Sequence, residues 1–293
     1  MLYKNKSPLF IFLMPGFLLM IFLLYEPFIE NVVNSVFDMS TFVRMSGQSF
    51  PFIGTENYKK LFLDPKIKIA ILNSFKMMVL TLIFQVGIAF ILAVFVSYLK
   101  RGQNFFRTVY FFPIVISATA IGLIFKLFYN YNGGMLNQLL IKIGEKPVNW
   151  LSPSLAFIMI AIPTLWSYIG FYFVILLTGL NDISEDIYDA ARVDGCTGFK
   201  QVFHISIPLV RGVLCTCITL GVTGALKVFD LPWIIVPKGA PRGLTHFLGT
   251  YMYEQTFTIG NIDYGSAIAL VIVIFGVLVS LIVNRLIRPD ENL

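Results

Sequence analysis

The chain has 293 residues, of which 57% are hydrophobic and 13% charged, with a mean hydropathy of +0.80. These values exclude most water-soluble folds and leave a polytopic membrane protein whose loops are too short to hide a catalytic domain. The net charge of +6 comes from Lys and Arg at the flanks of apolar runs. With no continuous basic stripe, it speaks for membrane lipid and against nucleic acid.

At the amino end Lys4 and Lys6 precede an apolar run from Leu9 to Tyr25 that imitates a signal peptide. No A-x-A site follows, and Pro15-Gly16 and Glu26-Pro27 suit a kinked, retained first span. Runs able to cross a hydrocarbon layer of about 30 Å fall at 9–36, 70–99, 105–129, 154–180, 206–230 and 265–287. Six such spans put both termini on one side. Pro113 is expected to break the third run and Pro163 the fourth.

Orientation follows the Lys/Arg bias of short loops. The connection Lys100-Arg101 to Arg107 has cations and no acid, which makes it cytoplasmic, together with Lys4, Lys6, Arg285 and Arg288. The opposite segment, 38–69, also carries Arg44, Lys59, Lys60, Lys66 and Lys68, which weakens the bias. The 231–264 connection, with Gly239-Ala240-Pro241 and Tyr251, Tyr253 and Phe257, reads as an ordered outer loop. Cys196, Cys215 and Cys217 lack metal-site spacing and read as buried thiols.

Between the fourth and fifth runs, Ser184 can cap a helix with Glu185 and Asp186 in its first turn, and Gly195 can close it in a left-handed conformation. On a helical wheel Ile183, Ile187, Tyr188, Ala190 and Ala191 share one side, and Glu185, Asp186, Asp189 and Arg192 the other. A second helical piece, Phe199 to Ile205, follows the Thr197-Gly198 corner, and Pro208 marks re-entry into the membrane. Asp182, Glu185, Asp186, Asp189 and Asp194 make this knob acidic, so anionic headgroups would repel its polar face. Amphipathicity alone favours a surface helix that merely rests on the bundle.

The order Asp189-Ala190-Ala191, then Gly195, then Ile207-Pro208 resembles the EAA loop of the inner-membrane components of binding-protein-dependent ABC importers. The flanks are similar to those of carbohydrate-uptake permeases related to the maltose and glycerol-phosphate systems. They are Phe52-Ile53-Gly54…Asn57-Tyr58, Leu165-Trp166-Ser167-Tyr168-Ile169-Gly170-Phe171…Gly179-Leu180, Phe229-Asp230 and Tyr264-Gly265-Ser266-Ala267, so the likeness spans about residues 9–288. It departs at Asp189, where Glu is usual, at Cys196, where Ala is usual, and at Arg211, where a second Pro is often found.

The resemblance implies an all-α helical bundle with the type I importer (MetI-like) permease fold, one transmembrane domain over 1–293 with a cytoplasmic coupling loop at 181–208. It implies that Tyr188, Asp189, Ala190, Ala191, Asp194, Gly195, Phe199 and Pro208 engage a separate ATP-binding subunit. ATP and Mg would be bound there, with no cofactor in this chain. Further implied partners are a second permease subunit, commonly a different chain, and an extracytoplasmic sugar-binding protein on the loops 38–69 and 231–264. The setting implied is the bacterial inner membrane, with both termini cytoplasmic.

Ionisable residues in spans are functional candidates, and Lys227 and Asp230, three apart, can pair on one helix face. Trp166, Ser167, Tyr168 and Tyr172 in the fourth run and Phe229 in the fifth add the aromatic and hydrogen-bonding groups that suit a sugar, although aromatics in spans also serve packing. The resemblance makes these regions the solute pathway and the solute a carbohydrate, an oligosaccharide before a glycerol phosphate ester.

Two other classes fit less well. A membrane enzyme would have to use His204, in the knob, or His246, which reads as a solvated loop residue. An ion-coupled secondary transporter needs midspan carboxylates, and only Asp230 approaches that. No G-x-x-x-x-G-K-[ST] phosphate loop occurs, so nucleotide hydrolysis must be supplied in trans.

Overall fold

The structure, a computed structural model, describes residues 7–39, 50–99 and 101–287. Lys4, Lys6, Arg44, Lys100 and Arg288, which enter the orientation argument, lie outside the described residues. Contacts divide the chain into two compact units, one of residues up to 64 with 252–271 and one of residues 65–251 with those from 272 on.

In the first unit, α1 (Leu9–Asn34) has no buried residue in its most apolar stretch. Its irregularity is a π turn, Ile21–Tyr25, just before Glu26-Pro27, and the helix runs through Pro15 without a break. After a short antiparallel bridge between Phe37 and Phe52 comes α2 (Glu56–Leu63). Here two of the sequence segments singled out above meet: Asn57 Nδ2 donates to Asp263 Oδ2 at 3.1 Å and to Ser35 O at 3.2 Å. Tyr264 donates to Asp64 Oδ2 at 2.7 Å, with the Lys60 ammonium 4.6 Å from its ring centroid.

The second unit starts with α3 (Pro65–Ser97), followed by the pair α4 (Gln103–Val115) and α5 (Ala118–Phe128), bent by 84°. Then come α6 (Met135–Lys142), α7 (Ala156–Asn181), the short α8 (Glu185–Val193), α9 (Arg211–Leu226), α10 (Asp230–Ile235) and α11 (Leu248–Tyr253). The last helix, α12 (Ile262–Ile287), closes the described chain. Among the described residues five helices are long and apolar enough to span a membrane, six if the bent pair is counted as one span.

The centre of the second unit is α7. Its Met159, Ile160 and Leu165 join one buried cluster with Met77, Ile235 and Phe247, and its Phe173, Leu176 and Leu177 join another with Val86, Ala89 and Ala93. Gly170 lets α4 approach: a Cβ there would lie 1.9 Å from the Tyr110 carbonyl oxygen. Small residues serve this purpose where membrane helices touch backbone to backbone.

Both proline expectations need correction. Pro113 stays inside α4, and the break comes at Ile116 and Ser117, where the Ser117 hydroxyl accepts from Ala120 N at 3.2 Å and starts α5. Pro163 does not interrupt α7 at all. A proline withholds the N–H owed to the carbonyl four residues back, here Met159, and the Tyr129 hydroxyl supplies that bond at 2.9 Å.

The 231–264 connection is ordered, as expected, but His246 is not a solvated residue of it. His246 is fully buried, its carbonyl accepts from Asn73 Nδ2 at 3.0 Å, and its ring lies 5.0 Å from that of Tyr251. Ser74 Oγ accepts from Leu248 N at 3.1 Å, so α3 holds this segment from beneath. Of the thiols, Cys215 and Cys217 are buried and Cys196 only partly so.

Candidate transport cavity and coupling knob

A cavity of about 560 Å³ opens where the helices of the second unit lose their regularity. Its walls come from the π turn Thr81–Val86 in α3, the α4–α5 break, the middle of α7, and the break between α9 and α10. Irregular backbone at membrane depth is tolerated where it lines a cavity. Thr81, Gln85, Ser117, Thr164, Ser167, Tyr168 and Tyr172 give this one hydroxyl and amide groups, Phe171 and Phe229 give it aromatic faces, and Lys227 and Asp230 are its charged members.

Six of the residues named from sequence line this cavity: Ser167, Tyr168, Tyr172, Lys227, Phe229 and Asp230. Trp166 does not. It sits on another side of α7, 42% exposed, with its ring 6.1 Å from that of Phe125. Tyr172 is only 5% exposed, and its hydroxyl finds no hydrogen-bond partner among the described residues. Tyr168, one turn away, is about half exposed, and the Ser167 hydroxyl donates to Thr164 O in its own helix at 3.1 Å.

Lys227 and Asp230 do not pair. The helix α9 ends at Leu226, and Lys227 and Phe229 leave the helical region (Phe229 φ −142, ψ −57), so the three-residue spacing no longer puts both on one helix face. Both side chains are exposed at the cavity edge. The Phe229 ring stacks on Trp233 at 5.8 Å.

Sequence reasoning missed Thr81, Gln85, Ser117 and Gly221. Gln85, 5% exposed, donates to the carbonyls of Thr164 at 3.0 Å and Leu165 at 3.1 Å, which fixes the π turn of α3 against α7 just past Pro163. The signal available was a lone buried-type Gln in an apolar run, a residue that must find polar partners inside a membrane. Gly221 leaves room beside Tyr172: a Cβ there would lie 3.6 Å from the tyrosine hydroxyl.

At its other end α7 leads into the knob. Ser184 caps α8 by accepting from Asp186 N at 3.3 Å. Gly195, at φ +76, closes the helix with Cys196 N donating to Ala191 O at 2.8 Å and Gly195 N to Arg192 O at 3.1 Å. This is the Schellman pattern, which needs a residue with positive φ. Gln201 Nε2 donates to Tyr188 O at 3.3 Å, and Tyr188 and Ser206 hydroxyls lie 3.2 Å apart, so α8 is tied to the turns that follow. The expected helix 199–205 is one α turn, Phe199–Gln201, then a π turn, Val202–Ser206, and Pro208 sits in a further single turn.

The helical wheel needs one correction. Ala191 is buried, whereas Ile187 and Ala190 face outward. The outer surface of the knob therefore carries Ala190, Val193 (88% exposed), Phe199 (80%) and Phe203 (64%), with open space around Gly195. Asp189 is exposed and forms an ion pair with Arg192 one turn on. His204 is also exposed, its Nδ1 2.9 Å from Lys200 O.

The model of the family described as "Binding-protein-dependent transport system inner membrane component" matches residues 85–291. The chain belongs to this family. It is therefore a multi-pass membrane component of a transport system, not an enzyme. The probable ABC transporter permease protein YurN of Bacillus subtilis (strain 168) is 34% identical to it over 100% of both chains. The arabinooligosaccharides transport system permease protein AraP of the same organism is 29% identical, over 97% of this chain and 90% of its own.

The trehalose/maltose transport system permease protein MalF of Thermococcus litoralis is 30% identical over 75% of this chain and 74% of its own. Among solved structures, a bacterial ABC transporter involved in the import of the acidic polysaccharide alginate contains a similar chain. It aligns with a TM-score of 0.84 over 99% of this inner-membrane component and 98% of its own length, at 20% identity, which speaks for the fold alone.

Proposed function

We propose that this inner-membrane component is one of two permease subunits of an ATP-driven importer, that the cavity around Tyr172 passes an oligosaccharide, and that the knob receives the motion of a separate ATPase. The observation that carries the reading is the continuity of α7. One helix bears the cavity residues Thr164 to Tyr172 and runs on to Asn181, directly before the knob. From Tyr168 to Asn181 that is roughly 20 Å of unbroken helix, rigid enough to turn a displacement of the knob into a change of the cavity.

The chemistry of both ends supports the assignment. The cavity offers hydroxyl, amide and aromatic groups of the kind that hold sugar hydroxyls and C–H faces, and the relatives AraP and MalF carry sugar names. The exposed apolar side chains Val193, Phe199 and Phe203, on a knob that also exposes Asp186, Asp189 and Asp194, suit a protein cleft better than an anionic lipid surface. ATP and Mg belong to that ATPase. Ala191, buried, and Tyr188, partly buried, then support the docking surface from behind, and Asp189, Ala190, Asp194, Gly195, Phe199 and Pro208, all exposed, meet the partner. The second permease subunit is a different chain, both termini are cytoplasmic, and a sugar-binding protein delivers the solute from the opposite side.

The test is uptake into proteoliposomes that hold the assembled complex. Accumulation of oligosaccharide that requires ATP, the ATPase and the binding protein together is the expected result. Accumulation driven by an ion gradient without ATP would replace this reading by secondary transport.

A further inference from the structure

The turn that opens the 231–264 connection holds two charged residues in a conformation that L side chains rarely adopt. Lys238 and Arg242 both have φ +56, and Gly239 and Gly243 beside them have φ +66 and +77. Glycine takes such angles freely, whereas lysine and arginine are strained there.

The surrounding packing keeps the strain in place. Thr245 Oγ1 donates to Ala240 O at 2.6 Å, Thr245 N to Gly239 O at 3.3 Å and Leu244 N to Pro241 O at 3.0 Å. Beneath the turn lies the buried ring of His246, so close that a Cβ on Gly239 would stand 2.4 Å from its Cδ2. Asn73 of α3 anchors both Leu244 O, at 2.8 Å, and His246 O.

Lys238 and Arg242 point to solvent, and neither forms an ion pair or hydrogen bond with a described residue. Lys66 runs alongside, 3.6 Å from where a Cβ on Gly243 would be, with its ammonium 5.9 Å from the Tyr251 ring centroid. Residues 231–251 contain no Asp or Glu to offset the charge of Lys238 and Arg242. A strained, tightly bonded turn thus holds the backbone beneath two exposed cations and leaves them unpaired.

We infer that Lys238 and Arg242 form a preorganised cationic contact for an acidic patch on the extracytoplasmic solute-binding protein. The inference rests on the importer reading and on its placement of the 231–264 connection outside. Two cations on a held turn suit a small group of carboxylates on a protein surface, whereas lipid headgroups are bound by clusters of about four to eight cations. Attraction of this kind acts mainly on the encounter rate and fades with salt.

The experiment measures binding of the purified binding protein that supports wild-type uptake to the whole complex in nanodiscs, at low and high salt. Two double variants are compared, Lys238→Glu with Arg242→Glu and Lys238→Gly with Arg242→Gly. The glycine pair keeps the turn and relieves its strain, so it controls for folding. At low salt the glycine pair should bind roughly tenfold more weakly, mostly through slower association, and lose most of the salt dependence, whereas the glutamate pair should bind more weakly still and improve as salt screens the new repulsion. ATPase activity without binding protein should stay at the wild-type level in both.

Unchanged affinity and salt slope in the glycine pair overturns the inference and leaves the importer reading standing. A loss that occurs in anionic nanodiscs and vanishes in neutral ones overturns it in favour of a lipid site. If no binding protein supports uptake by the wild-type complex, the importer reading falls and this inference with it.

Discussion

The hydroxyl of Tyr129 donates a 2.9 Å hydrogen bond to the carbonyl of Met159, the acceptor that Pro163 leaves without its helical donor. The end of α5 thus completes α7 one turn before the cavity wall. Tyr129→Phe should cost about 1–3 kcal/mol, the penalty for stranding a buried carbonyl, read as a lower melting temperature of the purified complex. In a Pro163→Ala background the helix supplies its own N–H, and the same substitution should cost markedly less. Equal costs in the two backgrounds would show that the bond does not compensate for the proline.

Gly170 makes an opposite kind of demand. In a helix Ala is favoured over Gly by about 1 kcal/mol, so only contact can make Gly170→Ala harmful. A Cβ would lie 1.9 Å from Tyr110 O and 2.8 Å from Phe111 Cα, both backbone atoms that cannot step aside. Gly170→Ala should therefore reduce the folded level in membranes severely. Gly224→Ala, with nothing within 4 Å, should be neutral or slightly stabilising, and quantifying both proteins in membranes checks the contrast.

In the knob, stability and coupling separate. Gly195 has open space around it, so Gly195→Trp costs only the strain of its positive φ, about 1 kcal/mol. The protein should remain in the membrane and lose ATP-dependent uptake. Asp189→Glu disturbs only an exposed pair with Arg192, worth about 0–1 kcal/mol, so any change in uptake by that variant reports on docking. Ala191→Arg is a poor probe, because Ala191 is buried and the substitution would damage packing first; Ala190→Arg is the informative one.

At the cavity, Tyr172→Phe removes one neutral hydroxyl and should lower transport roughly two- to tenfold. Asp230→Asn should act at the same step, since Asp230 has no partner in Lys227 to lose. Both variants should keep wild-type membrane levels and wild-type ATPase activity without solute. Normal transport by both would remove the cavity from the pathway.

Much of this was legible in the chain. Six apolar runs, the cap at Ser184, the left-handed close at Gly195 and the acidic character of the knob are local properties of adjacent residues, and helix caps and hydropathy act over a few positions. The regions of the cavity were legible as well, since Tyr168 and Tyr172 recur at helical spacing. The exceptions share a cause. Trp166 and Ser167 are neighbours that face different surroundings, Ala190 and Ala191 likewise, and the wheel gives each face without saying what lies opposite.

By itself, then, the sequence determined the class of molecule, the all-α architecture, the membership of the family and the position of the knob, because composition, periodicity and capping are carried by the chain alone. Only the tertiary structure decided where helices break, which face of α8 is outermost, and that His246 is buried. Those outcomes depend on partners far away in the chain. Tyr129 spares Pro163 its break, Asn73 and Ser74 draw the 231–251 segment inward, and the loss of helical geometry after Leu226 parts Lys227 from Asp230. No local pattern contains that information, because each buried polar group is satisfied by whichever donor or acceptor the fold brings to it.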